Sequence, residues 1–336
     1  VTKQKNKNLC IGVDLLGNDN PASLLLEVVV DLAKTIIEKI TFKVFATEEL
    51  LPAIKLAQAE LKSLQSSCSI SFFQVEDTIE MHEDPLQSIR KKKNSSLYQG
   101  IQSLQDNSIN AFISAGNTGA LVSASSLLLP KLPNISRLAL LALIPTELQP
   151  LAVLDIGANL ICKKEHLIQF AMIGAAFQSF RKTKKIKIGL LNIGEESNKG
   201  TPLLQETYLQ LRQLEKQRND FVFYGNVEGK TAFQGNIDVL ITEGFTGNVF
   251  IKTTEGMSDF ILQNMEKNHS SKKDFLYLKN LINDPSFSKA ILCGTEKIII
   301  KCHGYSSAKS FMNGIIEAIS LAKSNYISSL KKFLSA

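Results

Sequence analysis

Residues 111–130 read AFISAGNTGALVSASSLLLP: an apolar run, a turn in which Gly116 and Gly119 bracket Asn117 and Thr118, then a stretch at helical spacing that ends at a proline. Strand, glycine turn and helix in that order make one unit of a parallel sheet, with the loop at the carboxyl end of the strand. Glycines there let the backbone approach a ligand, and the first N–H groups of the helix favour an anion. The plainer alternative is that Thr118 caps the helix and Gly119 permits close packing.

The same grammar runs along the chain. Apolar runs rich in Val, Ile and Phe predict strands at 9–13, 41–46, 70–75, 111–115, 138–144, 151–156, 186–193, 221–225, 237–242 and 297–302. Helical spacing predicts helices at 21–39, 48–64, 118–129, 164–180, 201–217, 247–267 and 307–334. This alternation predicts an α/β fold of three layers, a mostly parallel sheet with helices on both faces. No repeat or linker marks a boundary, so residues 9–330 read as a single α/β domain with a helical excursion at about 256–290. Within it, 264–290 shows no strand, carries Lys272 and Lys273, and sets Phe275, Leu276, Leu278, Leu281 and Ile282 on one stripe. That stripe is an amphipathic surface helix or a membrane-surface contact.

The 336 residues, 44% hydrophobic and 21% charged, suffice for a large core. A net charge of +6 spread along the chain suits an acidic partner and does not demand nucleic acid. The cysteines, Cys10, Cys68, Cys162, Cys293 and Cys302, are odd in number and form no CxxC pair, which speaks against disulfides and zinc and fits a reducing cytoplasm. The basic start VTKQKNKN is followed only by LCIGV before Asp14, too short for a signal-peptide core. The apolar run LALLALIP at 138–145 is well short of the roughly 20 residues that span a bilayer.

Four further loops follow strands. LDIGANLICKKEH (154–166) offers Asp155, Asn159, Lys163, Glu165 and His166, and NIGEESNKG (192–200) offers Asn192, Glu195, Glu196 and Lys199. FYGNVEGK (223–230) and TEGFTGNVFIK (242–252) add Asn226, Glu228, Glu243, Asn248 and Lys252. Loops of this kind after consecutive strands are expected on one rim of one sheet, a phosphate-binding cleft in outline. Other signatures fail: there is no GxGxxG and no GxSxG, NVEGKT has Tyr224 where a phosphate loop needs its first glycine, and His82, His166, His269 and His303 lack metal-ligand spacing. Anion donors and lysines around a cleft without a protein nucleophile suit a reaction in which bound phosphate is itself the nucleophile of an acyl transfer.

SAGNTGA, LDIGAN with CKKEHLIQFA, GLLNIGEE, FYGNVEG and DVLITEGFTGNVFIKTTEG, with IEMHEDPLQSIRKKKNSS (79–96) and IIIKCHGYSSAKSF (298–311), together resemble the PlsX family of phosphate acyltransferases from Val13 to about Ala322. The resemblance implies a fold similar to the isopropylmalate dehydrogenases and phosphotransacetylases. It also implies transfer of a fatty acyl group from acyl-[acyl carrier protein] to inorganic phosphate, giving acyl phosphate for a downstream glycerol-3-phosphate acyltransferase in glycerophospholipid synthesis. No metal or organic cofactor is implied, and a cytoplasmic homodimer with peripheral contact to the inner membrane face is. The chain departs from the family pattern at DLLGND (14–19) where the family has DAMGGD, at Ile161 and Lys164 within the GAN motif, and at FSKAILCG (287–294).

On this reading Lys163 holds phosphate or the thioester oxygen, against the alternative of a solvated lysine beside Lys164. Asn117, Thr118, Asn159 and Asn226 donate to the anion, or serve as turn residues. Asp155 and Glu195 orient Lys163 or Lys199 or handle the thiol proton, Glu195 alternatively serving as a cap, and His166 and His303 act as acids, His166 alternatively capping or packing. Lys199 and Lys252 are the further phosphate-facing cations, Lys199 alternatively a solvent-exposed turn lysine. Arg90, Lys91, Lys92 and Lys93 meet the carrier protein or anionic lipid, or form a solvated face. Competing functions are a phosphotransacylase using acyl-coenzyme A, a sugar-phosphate or hydroxyacid enzyme on the same fold, and a non-catalytic phosphate- or lipid-binding module.

Overall fold

The computed structural model describes residues 8–181, 185–267, 271–282, 287, 289–304 and 307–336; the basic start of the chain and His269 lie outside them. Its strands are β1 (Leu9–Asp14), β2 (Ile40–Ala46), β3 (Ser69–Gln74), β4 (Ala111–Ser114), β5 (Ala139–Ile144), β6 (Leu151–Leu154), β7 (Ile186–Leu191), β8 (Phe221–Val227), β9 (Val239–Ile241), β10 (Lys289–Cys293) and β11 (Ile298–Cys302). The chain divides into two compact units, Val1–Lys131 with Thr295–Ile327, and Leu132–Gly294 with Ser328–Ala336.

In the first unit the strands lie in the order β3-β2-β1-β4-β11, every pair parallel. Its central strands are buried along their length (Ile11, Val13, Phe112, Ile113, Ile299, Ile300), as parallel strands covered on both faces must be. At the carboxyl end of β1 the buried Asp14 carboxylate fastens two loops. It accepts the Leu16 N–H (3.0 Å) and the Ser114 hydroxyl (2.8 Å), and Ser114 Oγ in turn accepts the Gly116 N–H (3.0 Å). Burial raises the Asp14 pKa from 3.8 to about 6, against the pull of Ser96, the Leu16 N–H, Ser114 and Lys301.

The second unit carries the order β10-β5-β6-β9-β7-β8. The pairs β10/β5 and β5/β6 are antiparallel, and β6, β9, β7 and β8 run parallel. Its core joins Ile144, Leu151, Val153, Leu191, Val227, Leu240 and Ile251, so the strands whose ends carry the polar loops share one apolar floor. Strand β8 is the last in this order, and it is bulged against β7 between Ile188 and Gly189. An outer strand presents unpaired N–H and C=O groups. Here the Phe223 N–H donates to Glu215 Oε1 (3.1 Å) and the Phe223 carbonyl accepts from Arg212 Nη1 (2.6 Å). Arg212 and Glu215 also pair with each other at 3.3 Å, so two side chains of the helix Pro202–Gln217 stand in for a neighbouring strand at this residue.

Two expectations need correction. Strand β10 lies partly inside 264–290, where none was expected, because KAILC is a five-residue run whose pairing to β5 no local periodicity reveals. The single helix expected at 307–334 is two, Ala308–Lys323 and Tyr326–Ser335, separated where the Ser324 hydroxyl donates to the Leu321 carbonyl and accepts the Tyr326 N–H. The amphipathic helix is present as Lys272–Ile282, with Leu276, Tyr277 and Leu281 exposed.

Two measurements follow from these contacts. A raised carboxyl pKa means that Asp14 contributes stability in full below pH 3.8 and loses it as pH rises through about 6. The unfolding free energy of Asp14→Asn should therefore improve relative to the parent by up to roughly 3 kcal/mol across that window, read from denaturant titrations at stepped pH. In Arg212→Ala/Glu215→Ala, amide exchange at Phe223 should accelerate and light scattering should show association beyond that of the parent. Unchanged exchange would remove the guarding role.

Candidate functional site

The loop that leaves β6 is organised by one buried carboxylate. Asp155 accepts the backbone N–H groups of Leu140 (3.0 Å), Gly157 (3.2 Å), Ala158 (3.0 Å) and Asn159 (2.7 Å), and the Asn159 side-chain amide (2.8 Å). Burial raises its pKa while these bonds pull it down. The helix Gly244–Lys267 closes onto the same loop. Its Gly244 N–H donates to the Asn159 carbonyl at 2.8 Å, and a Cβ at Gly247 would stand 1.9 Å from the Asp155 carbonyl oxygen. Only glycine fits there. The Glu243 carboxylate caps that helix by accepting the N–H groups of Phe245 (2.6 Å) and Thr246 (3.0 Å).

At the far end of the loop stand Cys162, Lys163 and His166. Lys163 is exposed, has no carboxylate partner among the described residues, and directly precedes the helix Lys164–Arg181. Its backbone N–H donates to His166 Nδ1 (3.1 Å) while its carbonyl accepts the His166 N–H (3.0 Å), a reciprocal cap that leaves the imidazole proton on Nε2. Burial, then Arg137, then Lys163 hold the His166 pKa below its ordinary value. The ring is therefore a neutral hydrogen-bond donor near physiological pH rather than the acid expected of it. Burial, with the Asp155 and Glu243 carboxylates, pushes the Cys162 thiol up to about 12.

Arg137 was missed in the sequence because it stands before a strand, and the loops read for chemistry were those after strands. Both neighbours pin its backbone. The Ser136 N–H and hydroxyl donate to Gln169 Oε1 (2.9 Å each), and the Leu138 carbonyl accepts the Asn159 amide (2.7 Å).

The other candidates divide. Since β6, β9, β7 and β8 are parallel neighbours, their carboxyl ends share one edge of this unit, and at about 4.8 Å per strand the end of β7 stands roughly 10 Å from that of β6. The loop after β7 is held by Asn192, whose amide donates to the Lys199 carbonyl (3.1 Å), and by buried Asn226, whose amide donates to the Glu196 carbonyl (2.7 Å). Asn226 Oδ1 is buried without a partner among the described residues. Glu195 and Lys199 are exposed on that loop, and among the described residues neither Asp155 nor Glu195 forms an ion pair with Lys163 or Lys199. Lys252 lies on a helix flank paired with Glu255 (2.7 Å). Both amide hydrogens of Asn159 are committed within the loop, to Leu138 and Asp155.

In the first unit Asn117 caps the helix Thr118–Leu128 through the Ala120 N–H (3.0 Å), and its amide is directed at the carbonyls of Glu80, Met81 and Glu83 (3.2 Å each). Its donors fasten a loop instead of facing an anion. Gly119 faces Pro85, which a Cβ would meet at 2.5 Å, so close packing accounts for it, and Thr118 opens the helix half-buried. In the basic run Lys92 is committed to Glu83 (2.6 Å) and the Thr78 carbonyl (2.7 Å), and Arg90, Lys91 and Lys93 stay exposed. No group of metal-ligating side chains occurs among the described residues.

Comparison with known proteins bears on this arrangement. The model of a family described as "Fatty acid synthesis protein" matches residues 9–329. A "Phosphate acyltransferase" of Chlamydia pneumoniae is 35% identical over 320 residues, covering 93% of this chain and 95% of the relative. One from Dictyoglomus turgidum is 39% identical over 267 residues, covering 76% and 78%. Among solved structures, a phosphotransacetylase from Streptococcus pyogenes aligns with a TM-score of 0.64 at 13% identity over 94% of each chain. A branched-chain phosphotransacylase from Enterococcus faecalis aligns with a TM-score of 0.61 at 14% identity, covering 94% of this chain and 99% of that one. The structural likenesses establish the fold; the family match over nearly the whole chain and the identities establish kinship, and the chain belongs to the fatty acid synthesis protein family, the PlsX phosphate acyltransferases.

Proposed function

We propose that this acyltransferase moves a fatty acyl group from acyl-[acyl carrier protein] to inorganic phosphate, releasing acyl phosphate and free carrier protein. The observation that carries the reading is the end of the Asp155 loop, where an exposed Lys163 without a carboxylate partner among the described residues and a neutral His166 with its proton on Nε2 stand at the start of one helix. Phosphate held there attacks the thioester carbonyl. The new C–O bond forms first and the carbonyl electron pair moves onto oxygen; when that pair returns, the C–S bond breaks, and the sulfur leaves as a thiolate that takes a proton from solvent. Lys163 and the His166 Nε2–H stabilise the oxyanion that develops between those events.

A covalent route through the protein is disfavoured by the same geometry. The one cysteine in the loop has its thiol pushed up to about 12, so almost none of it is nucleophilic thiolate near neutral pH. The finer features of the reading rest on surface chemistry. Exposed Arg90, Lys91 and Lys93 suit an acidic carrier protein. Exposed Met257, Phe260, Leu276 and Tyr277, beside Lys272 and Lys273, suit peripheral contact with an anionic membrane, and no described helix is long and apolar enough to cross one. Assembly as a homodimer, and delivery of acyl phosphate to a glycerol-3-phosphate acyltransferase, complete the proposal.

The test is turnover with long-chain acyl-[acyl carrier protein] and phosphate, following acyl phosphate and free thiol, with the matching acyl-coenzyme A thioester in parallel. Phosphate-dependent product from the carrier thioester is expected, falling on the order of 100-fold in Lys163→Ala, the size typical of one oxyanion donor. Product from coenzyme A alone would favour a phosphotransacylase, and no product from either would favour a binding module. Separately, Cys162→Ala should keep near-parental turnover, and intact-mass spectra taken with acyl donor but no phosphate should show no acyl adduct. A trapped adduct lost in that variant would establish a thioester intermediate.

A further inference from the structure

The second unit contains Arg137, Arg181, Arg212 and Arg218. Three of these guanidinium groups are occupied: Arg181 lies over the Phe177 ring, Arg212 joins Glu215 and the Phe223 carbonyl, and Arg218 pairs with Asp220 at 2.5 Å. Arg137 has no hydrogen-bond or ion-pair partner among the described residues and is exposed, although the residues on either side of it are fastened. The tie on one side runs to the helix that starts after Lys163, and the tie on the other runs to Asn159 in the Asp155 loop. Its charge is felt at both Cys162 and His166. The backbone around Arg137 is thus fixed beside the Asp155 loop while its guanidinium keeps no partner among the described residues, which leaves its fork available to an anion.

We propose that Arg137 is a further substrate-touching residue of this site, and that with Lys163 it holds the phosphate nucleophile. The proposal rests on the acyl-transfer reading above. Phosphate near neutral pH carries more than one negative charge, and the thioester oxygen gains another as the bond forms. One ammonium leaves that charge largely uncompensated. The guanidinium fork matches two phosphate oxygens at once, fixes their orientation and stays charged at every relevant pH, which a second lysine would not match. Because the 136–138 segment is tied to two elements of the same loop system, the fork needs little ordering when phosphate arrives.

Arg137→Gln and Arg137→Lys would be compared with the parent by steady-state kinetics and by calorimetric titration with inorganic phosphate. In Arg137→Gln, KM for phosphate and the phosphate Kd should both rise by about tenfold or more, the size of one charge-assisted contact, with KM for the acyl carrier protein unchanged. Arg137→Lys should recover part of each. A rise confined to the carrier-protein KM would overturn the proposal in favour of carrier docking, and unchanged constants would overturn it outright. A parent without turnover would sink the acyl-transfer reading alone. The titration would still decide Arg137, loss of phosphate binding in the Gln variant supporting it and equal binding overturning it. Far-ultraviolet spectra and thermal midpoints matching the parent separate these results from misfolding.

Discussion

The second unit depends on taking the Asp155 carboxylate out of water and surrounding it with N–H groups. A buried charge without partners is strongly unfavourable, so its oxygens must be met, and here they accept four backbone donors and one side-chain amide. Those donors come from the loop itself and from β5, which locks the turn after β6 to the neighbouring strand. The close approach of Gly244 and Gly247 then presses the start of a long helix onto the same backbone. Cys162, Lys163 and His166 inherit their positions from this chain of contacts.

The first unit reaches the same solution by different means. Asp14 also ends a central strand and is also buried, and it ties its own loop to the loop after β4 through a serine hydroxyl instead of a row of amides. Burial holds its proton up to about 6, against the pull of Ser96, the Leu16 N–H, Ser114 and Lys301. In a parallel sheet the ends of the strands are where the ladder stops and backbone donors lose partners, and a carboxylate placed there gathers them.

Much of the fold was legible, because burying a strand on two faces forces apolar runs, and the runs at β1, β2, β4, β7 and β11 could be read within about two residues. Strand β10 was not, since five residues antiparallel to β5 owe their state to a partner distant in sequence. The site was half legible. Glycine-flanked asparagines in loops after strands attract the reading of anion donors, yet Asn117 and Asn159 spend their amide hydrogens holding loops together. Lys92 and Lys252 look identical to Lys163 in sequence, and ion pairs to Glu83 and Glu255 set them apart.

The sequence alone determined the class of fold, the polar loops at the strand ends and the family, because periodicity, glycine placement and motif order are local or linear properties. Tertiary structure decided which polar groups remain available for chemistry. Availability is what is left after neighbours have claimed their hydrogen bonds, and those neighbours come from elsewhere in the chain. Asp155 became the organiser of a loop and His166 a neutral donor. Arg137, unremarkable before its strand, is an exposed cation without a partner among the described residues, carried on a segment that Ser136 and Leu138 fasten to Gln169 and Asn159.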